Sequence, residues 1–210
     1  MPDPAPDELS LQRLLTSALD AACVEPRRDE VQVLDLACGE CREVEVVAAA
    51  ALEKLGRAGA ALRFTGADIR GAQLDDARAR GRLLRKPGTA VDFLEQDCAK
   101  LPDLKELGRG FDMVFLRHQN YWNDRRAWRR IFQNGLERLH DSGLLVISSY
   151  FDVEHELAVK AITAAGGELV TSVQNKDSRA LPTPGKSVDR HLAVFRKQQN
   201  HRPYGPTPTR

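Results

Sequence analysis

From residue 31 onward the chain alternates short apolar runs with longer helical segments, and that rhythm constrains the fold more than any other feature. Residues 31–36 are an apolar run of strand length, suited to burial on both faces. Residues 42–55 are rich in alanine and valine, carry Glu43, Glu45 and Glu53, and end at Gly56, which predicts a helix. Residues 61–67 read as a second strand, and 71–86 as a charged helix stopped by Pro87 and Gly88. Strands are expected over 89–94 and 111–116, followed by a helix over 124–139 with Ala127, Ile131, Leu136 and Leu139 inward. The turn Asp141-Ser142-Gly143 leads into a strand over 144–149, then a helix over 153–165 broken by Gly166 and Gly167. The last strands fall at 168–173 and 190–196.

Repeated strand–helix units imply a mostly parallel sheet with helices on both faces. The last two strands break the rule. Residues 174–189 between them hold two prolines and a glycine and show no helical period, so these strands are expected to pair antiparallel. A nicotinamide-binding Rossmann domain keeps its strands parallel and is disfavoured by that ending.

Ahead of the sheet, Asp7 is placed to cap a helix over 7–23 with Leu11, Leu14, Leu15, Ala18, Leu19 and Ala22 on one face; Pro26 ends it. Residues 1–6 and 201–210 are rich in proline and read as disordered tails. One domain over 7–200, with its core at 31–197, accounts for a chain of 210 residues. No internal repeat is visible.

A hydrophobic fraction of 42% suffices for a buried core, and a net charge of +1 lacks the basic excess usual in nucleic-acid binders that rely on phosphate contacts. No apolar run approaches the ~20 residues of a membrane helix, and residues 1–7 have no signal-peptide core. The chain is therefore expected to be cytoplasmic, with Cys23, Cys38, Cys41 and Cys98 reduced. Cys38 and Cys41 form a CxxC, but no second CxxC or histidine pair offers two further zinc ligands. Both read as small residues in a tight turn, and no metal is expected.

The first strand runs into Asp35-Leu36-Ala37-Cys38-Gly39-Glu40-Cys41-Arg42. At the carboxyl end of a parallel strand, a turn opening a helix offers free amides to a ligand, and small residues permit close approach. This stretch resembles the first motif of class I S-adenosylmethionine-dependent methyltransferases. Gly39 takes the central glycine's place, while Ala37 and Cys41 stand where glycine is commoner. Later stretches fit the same family: Thr65-Gly66-Ala67-Asp68-Ile69, Phe93-Leu94-Glu95-Gln96-Asp97-Cys98, Phe111-Asp112-Met113-Val114-Phe115-Leu116 and Asp141-Ser142-Gly143-Leu144-Leu145.

The resemblance implies an α/β Rossmann-like methyltransferase fold: a seven-stranded, mostly parallel sheet with the last strand antiparallel and helices on both faces. It implies S-adenosyl-L-methionine as cofactor. Asp35, Ala37, Cys38 and Gly39 would form the turn around it, Asp68 would meet the ribose, and Ile69 beside it would contact the cofactor. Asp97 and Cys98 would meet the adenine, with Leu116 and Arg117 closing over the methionine end. Asp112 reads as structural.

The acceptor side is less specified. Arg117-His118-Gln119-Asn120-Tyr121-Trp122-Asn123 follows the fourth strand, where acceptors lie in the resembled family. His118, as an imidazole, is suited to remove a proton from oxygen or nitrogen and is the candidate catalytic residue together with Tyr121. Asn120, Trp122 and His155 are candidate acceptor contacts; Tyr121 and Trp122 can equally pack the following helix. Arg125, Arg126, Arg129 and Arg130 give that helix a basic face, which is usually just solvated.

The reading is methyl transfer to an unidentified acceptor, with a small molecule favoured and RNA open, by a monomer or homodimer. Two rivals stand beside it. One is a methyltransferase-like binding protein without turnover. The other, an NAD(P)-dependent oxidoreductase, would want G-x-G-x-x-G after the first strand.

Overall fold

Alternation with period two sorts the strand side chains of this protein onto two faces, each covered by helices. The computed structural model describes residues 5–22, 28–103, 107 and 110–198. In chain order the elements are α1 (Pro6–Ala21), β1 (Arg28–Leu36), α2 (Val44–Leu55), β2 (Gly56–Asp68), α3 (Gly71–Leu84) and β3 (Thr89–Glu95). A 3-10 segment (Cys98–Asp103) precedes β4 (Phe111–Arg117), α4 (Arg125–Arg138), β5 (Leu139–Ser149), α5 (Asp152–Ala164), β6 (Gly167–Gln174) and β7 (His191–Lys197). Val33, Met113, Phe115, Leu144, Val146, Leu192 and Val194 point to one face and meet α1, α2 and α3. Leu34, Leu36, Val114, Leu116, Leu145, Ile147, Ala193 and Phe195 point to the other, under α4 and α5. Burying each large apolar side chain contributes about 1.5–3 kcal/mol, so this two-sided core dominates stability.

The seven strands run in the order β3-β2-β1-β4-β5-β7-β6. β1, β2, β3, β4 and β5 pair parallel, and β7 lies antiparallel to both β5 and β6. This is the Rossmann-like arrangement expected, including the reversed last strand. The order reverses between β1 and β4, which makes their carboxyl ends the place where such a sheet binds ligands. At the opposite end, Arg28 Nε donates to Asp112 Oδ1 at 2.9 Å and the Gln32 amide to Asp112 Oδ2 at 2.9 Å. Asp112 is thus structural.

Three expectations need correction. Asp7 does not cap α1: Ala5 precedes the helix, Pro6 opens it, and Asp7 sits in its first turn. Pro6 consequently belongs to the fold and not to the tail. β2 and β5 begin five residues earlier than expected, at Gly56 and Leu139, because the chain leaves each preceding helix straight into extended backbone. Cys23, Pro26 and both expected tails beyond Ala5 and Gln198 lie outside the described residues. No described helix is long and apolar enough to cross a membrane.

Candidate active site

The β1–α2 turn keeps a left-handed backbone at every other residue. Ala37, Gly39 and Cys41 have φ of +58°, +55° and +45°. Glycine adopts this conformation freely, whereas an L side chain is strained there, so Ala37 and Cys41 hold the glycine geometry at a cost. The turn is braced from β2: the Cys38 amide donates to the Ala67 carbonyl at 3.2 Å, and the Gly39 amide to Asp68 Oδ2 at 2.8 Å. Space is tight, since a side chain at Gly39 would meet Gln73 and Arg70.

Asp68 also accepts from the Arg70 amide at 2.8 Å, and from Arg70 Nε and an Arg70 terminal nitrogen at 3.0 and 3.1 Å. Burial works to raise the Asp68 pKa, but these donors outweigh it and hold the carboxyl below its usual value. Both carboxylate oxygens face a guanidinium on a half-exposed side chain, so any diol meeting Asp68 must compete with Arg70.

Asp35 lies under the turn with 0% exposure. Its Oδ2 accepts the Cys41 thiol proton at 3.3 Å, while Oδ1 has no hydrogen-bond partner. Burial and the neighbouring Glu43 carboxylate push its pKa well above the ordinary aspartate range. A buried acid with an orphaned oxygen is a feature that a cationic group would satisfy.

Arg117 leaves the end of β4 between two acids, 3.1 Å from Glu43 and 2.6 Å from Asp189. The next residue, His118, is also left-handed at φ +57°, held by its amide on the Ser148 carbonyl at 3.0 Å. His118 Nε2 lies 2.8 Å from Asp189 Oδ1, and its ring stacks on Tyr150 with centroids 3.7 Å apart. Burial works to raise the Asp189 pKa, but His118 and Arg117 outweigh it and hold the carboxylate ionised well below its usual range. Buried Gln119 locks the loop, its Nε2 donating to the carbonyls of Leu116 and Ser148 at 3.0 and 2.6 Å.

The turn, Glu43, Arg70 and the β4 loop line one cavity of about 710 Å³ above the β1–β4 switch point, within the range of small-molecule sites, while Asp35, Asp68, Gln119 and Asp189 lie buried behind its lining. Ala37, Cys38, Gly39, Arg117, His118 and Asn120 all reach it. Its outer wall comes from the start of α1 and the β6–β7 connection, where Arg179 Nε donates to Asp7 Oδ1 at 3.0 Å.

The other candidate residues lie elsewhere. Leu116 points into the core beneath α4 and α5, because β4 alternates and Arg117 takes the cavity side. Ile69 is 64% exposed beside Asp68; Asp97 caps the 3-10 segment by accepting from Ala99, and the Cys98 thiol donates to the Ala67 carbonyl. Tyr121 is buried against Phe132 with its hydroxyl on Arg129, Trp122 packs edge-on against Phe151, and neither reaches the cavity. His155 sits between Ser149, Ser172 and His191, again away from it. The sequence reading missed Glu43, Arg70, Tyr150 and Asp189. Only the length of the connection 174–189, which joins the last two strands without a helix, hinted at the last.

Comparison with known proteins adds the family. The family described as "Methyltransferase domain" matches residues 33–143. No curated protein matches the chain in sequence. Among solved structures, the N-methyltransferase NodS of Bradyrhizobium japonicum WM9 superposes with a TM-score of 0.62 at 15% identity, covering 91% of this chain and 98% of that one. An S-adenosylmethionine-dependent methyltransferase from Clostridium acetobutylicum gives 0.63 at 12% identity, covering 94% of each chain. A geranyl diphosphate C-methyltransferase from Streptomyces coelicolor A3(2), solved with S-adenosyl-L-homocysteine, gives 0.61 at 13% identity, covering 90% of this chain and 80% of that one. At such identities the structures speak for the fold alone, while the family match covers more than half of the sequence and takes in the β1–α2 turn, Asp68 and His118. The chain belongs to the methyltransferase domain family.

Proposed function

We propose that the protein transfers a methyl group from S-adenosylmethionine to an oxygen or nitrogen of a small molecule. The observation that carries this reading is the β1–α2 turn, left-handed at residues 37, 39 and 41 and opening on a cavity at the switch point. The residues present fit the cofactor: the turn is kept open to close approach, and Asp35 and Glu43 supply buried carboxyl groups, with one Asp35 oxygen unpartnered. When bound, the cofactor supplies an electrophilic methyl group on a sulfonium.

The chain's own residues do the rest. Ala37, Cys38 and Gly39 would bind along the turn, and Asp68 would accept from the ribose once Arg70 has moved aside. Ile69, Asp97 and Cys98, at the ends of β2 and β3, would flank the adenine. His118 would take the acceptor's proton through the ring nitrogen not engaged by Asp189, while Asp189, whose amide and carboxylate both lie at Nε2, holds the imidazole in place. Asn120 would orient the acceptor. Holding nucleophile and methyl group close and aligned is the main contribution to rate. The Asp7–Arg179 wall supports a small acceptor, because it narrows access to the cavity. A cytoplasmic location belongs to the same proposal, in keeping with three buried free cysteines among the described residues.

Calorimetric titration with S-adenosylhomocysteine tests the reading. Micromolar binding is expected, and methyl transfer from labelled cofactor to an extract fraction should follow. A folded sample that does not bind would overturn it. The Arg70–Asp68 pair favours a second reading, a binding protein that has lost turnover, because the guanidinium already occupies the ribose acceptors. Cofactor binding without transfer to any fraction would select that reading.

A further inference from the structure

The β1–α2 turn brings together a set of atoms that includes a thiol the proposed reaction does not need. A carboxylate oxygen of Asp35, the Sγ of Cys41 and a carboxylate oxygen of Glu43 lie within 4.8 Å of one another, all on buried side chains. Cys41 Sγ is already 3.3 Å from Asp35 Oδ2. A sulfur about 2.3 Å and an oxygen about 2.1 Å from a tetrahedral zinc would stand about 3.6 Å apart. Independently, Asp35 Oδ1 is fully buried without a partner. Arg117 does not neutralise this pocket alone, because Glu43 shares it with Asp189. A search for cysteine and histidine pairs overlooks the set, since its other ligands are carboxylates on the same turn.

We propose that Asp35, Cys41 and Glu43 form a binding site for a thiophilic divalent cation of the zinc class, with water completing it, and that this ion and the cofactor exclude each other. The thiolate sets the class, because magnesium and calcium prefer oxygen ligands alone. On binding, the Cys41 S–H bond breaks, its proton goes to solvent and the sulfur bonds the metal; no electron changes hands. All three ligands come from one short segment, residues 35–43. The exclusion rests on the cofactor reading above, since both cations would answer the same buried acids; the metal site does not.

Cobalt(II) serves as the spectroscopic probe. Metal-stripped protein titrated with Co²⁺ should saturate at one equivalent with a thiolate-to-cobalt charge-transfer band, which Zn²⁺ then removes. Cys41→Gly suits a φ of +45° and should fold; it should lose the band and bind Co²⁺ about tenfold more weakly or worse. Asp35→Asn should keep the band while binding about tenfold more weakly. A wild type without the band, or folded Cys41→Gly that retains it, overturns the site. One equivalent of Zn²⁺ should weaken S-adenosylhomocysteine binding by about tenfold or more; unchanged affinity in zinc-loaded protein overturns the exclusion. Zinc binding by a protein with no affinity for S-adenosylhomocysteine upholds the metal site and removes the cofactor reading instead.

Discussion

Ala37 pits two backbone effects against each other. Its φ of +58° crowds Cβ against the following carbonyl, which costs ~1–2 kcal/mol for an L residue. Glycine would relieve that strain but add ~0.4–1 kcal/mol of unfolded-chain entropy. The strain is larger, so Ala37→Gly should stabilise by about 0.5–1 kcal/mol, seen as a rise in Tm. A fall would show that the turn is not left-handed in solution. At Asp68 the competition is between ligands. Asp68→Ala should weaken S-adenosylhomocysteine binding by ~1.5–3 kcal/mol, while Arg70→Ala should tighten it by freeing the carboxylate. Weaker binding by Arg70→Ala would make that side chain a contact for the cofactor and not its competitor. Asp68 and Gly39 were legible in the sequence because a strand end and a turn are local signals. Asp189 was not: it lies 71 residues from His118, and only the placement of β7 beside β5 brings the two together.

Among the elements, α4 has the clearest start. Asp124 Oδ1 accepts from the Ala127 amide at 2.9 Å, satisfying one of the donors that a helix N-terminus leaves free. Asp124→Ala should cost about 1 kcal/mol, or ~2–4 °C in a thermal melt of a chain this size; no change would assign the cap to solvent. Most element boundaries could be read because apolar runs here are bounded by glycine, proline and charge. The early starts of β2 and β5 could not, since residues 56–60 and 139–143 carry no apolar alternation and pair irregularly, through the register shifts after Arg28 and Phe111. The loop after β4 divided for a related reason. His118 and Asn120 reach the cavity, but Tyr121 has turned under α4, a choice between two faces that no period in a seven-residue loop encodes.

For the whole molecule, the buried contact between α5 and the β6–β7 hairpin adds a histidine to the groups that respond to acid. Burial, and then the neighbouring His191, lower the His155 pKa to about 4. Because an unfolded histidine titrates near 6.5, the unfolded chain binds the extra proton between those values. Stability from neutral His155 is therefore full above pH ~6.5 and lost as pH falls towards 4, by on the order of 3 kcal/mol. Asp35 acts with the opposite sign: its raised pKa makes its contribution fall as pH rises. Urea melts of wild type and His155→Gln at pH 7 and 5 separate the two, and the variant should show the shallower acid loss. Equal losses would place the acid sensitivity elsewhere.

The position of β7 between β5 and β6 also has a meaning in time. A ribosome delivers the glycine-like turn, Asp68 and the histidine loop long before it delivers Asp189. Until the last strand is made, β6 has no neighbour in the sheet and the imidazole has no orienting carboxylate. A chain made only as far as β6 can shape much of the cofactor turn yet lack the groups that would activate an acceptor, so competence waits on β7.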